Sequence, residues 1–86
     1  MRVVVVYREQ TDYARQVIDF LADFKRQTGH DLETLDPESS AGIDFTQVYD
    51  IMELPTIIAI SDEGALQNTW VGLPLPTISE VSYYVQ

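Results

Sequence analysis

Apolar and polar positions do not alternate at the start of the chain: Val3-Val4-Val5-Val6 runs on unbroken to Tyr7. A continuous β-branched run predicts a central strand covered on both faces. Arg8-Glu9-Gln10-Thr11-Asp12 interrupts it, and Thr11 or Asp12 is placed to cap a helix. From Tyr13 the apolar residues fall at 14, 17, 18, 21 and 22, with Phe20 and Phe24 widening the stripe, which is helical periodicity. Lys25 and Arg26 suit the C-terminal turn of that helix and Gly29 its stop.

The pattern then weakens. Asp31 to Asp36 reads as a short acidic strand around Leu32 and Leu35, and Pro37 to Gly42 reads as a loop by composition. Asp44 predicts the cap of a second helix, with Gln47 three residues on, Ile43 stapling against Val48, and Tyr49, Ile51 and Met52 on the buried side. Pro55 opens a third strand that runs to Ile60. A proline there, directly after a helical pattern, is a fixed backbone bend of the kind at which an X–Pro bond can be cis. Ser61-Asp62-Glu63-Gly64 predicts a hairpin turn with positive φ at the glycine. Ala65 to Val71 returns as a fourth strand, with Leu66, Asn68 and Trp70 on one side. Gly72 and Pro74 end it, and Pro76 suits the first position of a last helix with Ile78, Val81, Tyr84 and Val85 as its stripe. The order is βαβαββα: an α/β fold with a four-stranded mixed sheet flanked by three helices, the first two strands parallel across their helical crossover. At 86 residues the expectation is a single domain, 1–86.

Charge narrows the partners. There are 14 acidic residues against 5 basic ones, a formal net charge of -9. Nucleic acids and anionic membrane surfaces draw their affinity from Lys and Arg, so neither is expected as a partner. No stretch approaches the roughly 20 apolar residues of a membrane span, and Met1 to Val6 is too short for a signal peptide, so the expected location is cytoplasmic. The acids lack the spacing of a calcium loop, and they read as a solvated edge that discourages strand-to-strand association. Phosphate-loop, nucleophile-elbow and zinc-protease motifs are absent, and no cofactor or metal site is indicated. His30, the only histidine, stands beside Gly29 and reads as a solvated helix-end residue. Tyr7, Tyr49, Tyr84 and Trp70 read as core, whereas Tyr13 is the best single candidate for an exposed contact.

Four local features, in this order and spacing, resemble the minimal thioredoxin/glutaredoxin fold over nearly the whole chain. They are Tyr7 closing the first strand, Leu54-Pro55-Thr56 as the cis-proline turn, Asp62-Glu63-Gly64 as the hairpin, and Val71-Gly72 closing the fourth strand. In that family a Cys-x-x-Cys pair opens the first helix, where the helix terminus lowers the pKa of the thiolate. The matching positions here are Asp12-Tyr13-Ala14-Arg15, and the chain contains no cysteine at all. Thiol–disulfide exchange therefore has no nucleophile, and Asp12 is expected to serve as a helix cap. The resemblance implies that Arg8, Asp12, Tyr13, Arg15, Leu54 and Pro55 converge on a degenerate active-site groove. Leu54 backbone groups would pair with an extended peptide there, and Arg8 or Arg15 would supply charge. An alternative role for the two arginines is surface pairing with Glu9, Asp12 or Asp19.

Glutaredoxin-type glutathione sites also use an acid after the fourth strand, where this chain has Gly72-Leu73-Pro74-Leu75. The resulting expectation is a redox-inactive module that binds another protein or peptide. One alternative is a non-thiol glutathione- or anion-binding enzyme relic. The other is an adaptor resembling the cysteine-free KaiB proteins, of which no specific motif stands here.

Overall fold

The computed structural model describes residues 1–85. Its elements are β1 (Arg2–Val6), α1 (Ala14–Thr28), β2 (Glu33–Leu35), α2 (Ser40–Val48), β3 (Thr56–Ile60), β4 (Leu66–Val71) and α3 (Ile78–Ser82). They form one sheet in the order β2-β1-β3-β4. β1 and β2 are parallel, and the other two pairs are antiparallel. The parallel step is the one that α1 bridges, as a crossover requires.

The two unbroken apolar runs, β1 and β3, take the centre of the sheet and bury side chains on both faces. Val3, Val5, Ile57 and Ala59 pack with Ala14, Val17 and Phe24 of α1 and with Val81 of α3. Val4, Val6, Ile58 and Ile60 point the other way, toward Phe45 and Tyr49 at the α2 side. Each valine or isoleucine so buried stabilises the fold by about 1.5–3 kcal/mol relative to exposure. Trp70 and Tyr84 meet edge to face at 5.6 Å above the first cluster, and Asn68 Nδ2 donates to the Tyr84 hydroxyl at 3.2 Å. No described helix is long and apolar enough to cross a membrane.

Several boundaries depart from the sequence reading, each for a local reason. α2 begins a turn before Asp44: Ser39 is its N-cap, its Oγ accepting the Gly42 N–H at 3.0 Å, so Asp44 lies inside the helix. Pro37 to Gly42 is thus only partly a loop. Gly42 lies within the helix, and the position takes glycine because its backbone passes so close to Asp36 that a Cβ would sit 1.8 Å from the Asp36 carbonyl oxygen. The staple of Ile43 on Val48 does not form, both being exposed. The helix ends in a Schellman motif, Ile51 N–H donating to the Thr46 carbonyl at 2.9 Å, with Asp50 at φ 52 in the position glycine usually fills. That turn carries Met52 off the helical stripe and leaves it 85% exposed.

In α1, Ile18 and Ala22 face solvent, and the buried line is Ala14, Val17 and Phe24. α3 starts after Pro76, with Thr77 as N-cap in a capping box with Glu80. A register shift between Ala59 and Ile60 sets Leu66 opposite Ile60, while Asn68 and Trp70 face Ala59 and Ile57. Leu66 therefore lies on the α2 side, not with Asn68 and Trp70.

Candidate functional site

The end of β1 and the start of β3 lie side by side. Their register pairs Val6 with Thr56, so Tyr7 and Pro55 come next along it, and the loop 8–13 leads from there into α1. Pro55 is buried and its carbonyl accepts the Gly72 N–H at 2.8 Å. Thr56 Oγ1 donates to the Glu53 carbonyl at 2.6 Å. The Leu54–Pro55 and Leu73–Pro74 peptide bonds are cis. Between these anchors, the backbone N–H and C=O of Leu54 have no hydrogen-bond partner among the described residues. The Leu54 side chain is half-buried against the α2-side cluster.

The loop before α1 is tied to itself. Arg8 N–H donates to the Tyr13 hydroxyl at 3.1 Å, and Thr11 Oγ1 donates to the Arg8 carbonyl at 2.8 Å. Tyr13 is half-buried against the cluster shared by α1 and α3, so it is a structural residue more than the exposed contact its position suggested. It is also the N-cap of α1, with no side-chain capping hydrogen bond. Asp12 is exposed, and its side chain makes no capping hydrogen bond among the described residues, because the N-cap position falls on Tyr13.

The structure brings Arg8 and Tyr13 into contact but does not gather all six expected residues into one cleft. Tyr13 and Leu54 pack on opposite faces of the sheet. Arg15 turns along the helix to Asp19 at 3.3 Å, and Arg8 Nη2 lies 3.9 Å from Glu38 Oε1. The open depression at this end, about 430 Å³, is lined by Arg8, Glu9, Gln10, Thr11, Asp36 and Glu38. Asp36 and Glu38 were not singled out as site residues by the sequence. The signal for them was the parallel β1–β2 pair, which sets the loops after both strands at the same end of the sheet. With three acids around one paired arginine, the depression is a poor receptor for an anion.

No protein-family model and no curated protein sequence matches the chain. Among solved structures it is similar to thioredoxin 1 from the thermophilic eubacterium Thermosipho africanus TCF52B. The TM-score is 0.67 at 14% identity, over 99% of this chain and 90% of that one. The fold is thioredoxin-like. Here it carries no cysteine, and the start of α1, where a thioredoxin-like fold can present a reactive thiol, presents Asp12, Tyr13, Ala14 and Arg15. The nearest ionisable group in the core is the Tyr7 phenol. Its pKa is raised by burial first and by the Glu9 carboxylate second, so it stays neutral and unreactive around neutral pH.

Proposed function

We propose that this cysteine-free thioredoxin-like chain is a redox-inactive, protein- or peptide-binding module that pairs an extended segment of its partner with the backbone of Leu54. The observation that carries the reading is the unpartnered N–H and C=O of Leu54, held between the Glu53–Thr56 and Pro55–Gly72 hydrogen bonds. A donor and an acceptor on one fixed residue at the head of a strand are what an added strand pairs with. Arg8 and Arg15 already face Glu38 and Asp19, which favours backbone pairing over anion capture. It also weighs against the glutathione-binding alternative.

Two assays test the reading together. In a disulfide-reduction assay with dithiothreitol, the protein should add nothing to the uncatalysed rate. Glutathione at 5 mM should leave the amide resonances of residues 8–15 and 53–56 unshifted. A localised glutathione shift at Leu54 and Arg8 would turn the conclusion toward the glutathione-binding alternative.

A further inference from the structure

β4 is an edge strand, and on the α2 side of the sheet no helix lies over it. α2 stops at Val48, and the register shift at Ile60 has turned Leu66 to the same face as Thr69 and Val71. The result is a groove of about 190 Å³ with Ile51 and Met52 on one wall, Leu66, Thr69 and Val71 on the other, and Ile58 at its base. Leu66 is 52% exposed and Val71 54%, so this face remains open to solvent in the isolated chain. It is separate from the Arg8–Tyr13 loop, which packs on the opposite face.

Charge says what covers it. Asp50 and Glu53 also line the groove, and no basic residue does. Neither carboxylate has an ion-pair partner among the described residues. All five Lys and Arg side chains are engaged elsewhere: Arg2 with Glu33, Arg8 with Glu38, Arg15 with Asp19, Lys25 with Asp31 and Arg26 with Asp23. Asp50 moreover keeps a left-handed backbone conformation that glycine would adopt without strain. A second copy of the chain would bring a further formal charge of -9 to a surface with no cation to spare, so self-association through the groove is electrostatically opposed.

We infer that this groove docks a short segment of another protein in which two or three apolar side chains are flanked by lysine or arginine. The apolar side chains fill the space between Met52 and Val71, and the cations face Asp50 and Glu53. Complementary charge at such a rim makes the association fall with salt.

The probe is a blocked dodecapeptide alternating leucine or valine with lysine, with two controls: glutamate for every lysine, and serine for every apolar residue. Titration into the isotopically labelled full chain should shift resonances of residues 49–53 and 66–71. Affinity should fall at least tenfold for each control peptide and several-fold between 50 and 500 mM salt. Met52→Ser and Val71→Thr alter exposed side chains and should leave thermal unfolding within a few degrees of the parent while weakening binding about tenfold. Asp50→Asn combined with Glu53→Gln should flatten the salt dependence. The inference is overturned if the shifts spread over the whole acidic surface, if the glutamate or serine peptide binds as well, or if the four substitutions change nothing. It is equally overturned if sedimentation shows the free chain dimerising through these residues.

Discussion

The Tyr13 hydroxyl accepts the backbone N–H of Arg8 at 3.1 Å. That contact crosses the point where α1 begins. Because the Thr11 hydroxyl donates to the Arg8 carbonyl, both backbone polar groups of Arg8 are pinned within the loop. The helix start that could hold a reactive group in a thioredoxin-like fold is here occupied by a local network. Tyr13→Phe should therefore lower stability in urea unfolding by about 0.5–1.5 kcal/mol, the net worth of one hydrogen bond. A tyrosine serving only as a surface contact would show no change.

Gly42 offers a prediction against helix propensity. Alanine is the better helix former by about 1 kcal/mol, but its methyl would meet the Asp36 carbonyl oxygen at 1.8 Å. Gly42→Ala should destabilise by about 2 kcal/mol or more, since the obstacle is backbone that must be pushed aside. Thermal or denaturant unfolding measures it, and a gain in stability would show that α2 does not approach β2's exit loop so closely.

Thr77 and Glu80 make a reciprocal cap on α3. Thr77→Ala should cost about 1 kcal/mol. The Thr77 N–H, and then its hydroxyl, hold the Glu80 carboxyl below its ordinary pKa. A depressed carboxylate adds stability above its unfolded pKa, about 4.3, and that addition is lost as pH falls through the lower folded value. Carboxyl NMR titration should find Glu80 below the ordinary glutamate value and should find it raised in Thr77→Ala.

Asp50 sits at φ 52 at the end of α2. Asp50→Gly relieves that conformation and should raise stability by up to about 1 kcal/mol. The same change removes a carboxylate from the groove beside β4, so the stabilised variant should bind the lysine-rich peptide more weakly. Parallel unfolding and titration experiments show whether the two effects separate in this direction.

These residues also mark where the chain could and could not be read in advance. Val3–Val6 announces a central strand, because an unbroken apolar run needs cover on both faces, and Pro55–Ile60 announces a strand whose central place only the sheet order reveals. The thioredoxin-like order followed from their spacing and from the Gly64 turn, whose φ is 88. The start of α2 was hidden, because Ser39, Ser40 and Gly42 read as loop until the close approach to Asp36 explains the glycine. The side on which Leu66 lies depends on a one-residue register shift, which a period of two cannot reveal. Asp12 reads as a cap by residue type, but the N-cap position falls on Tyr13, whose hydroxyl reaches back to the Arg8 N–H, a contact set by three-dimensional reach. Met52 continues the apolar stripe in sequence, but the turn at Asp50 ends that stripe before it and sets Met52 on the wall of the groove beside β4.

Pairing of Leu54 with an extended partner is read at a single amide. A peptide is first selected against the full chain from a random extended-peptide display library, then added to isotopically labelled protein. The Leu54 N–H resonance should shift on saturation, and its exchange with solvent should slow at least tenfold while the fold is otherwise unchanged. A library that yields no peptide above background, or a bound peptide that leaves the Leu54 amide unshifted and freely exchanging, would contradict it.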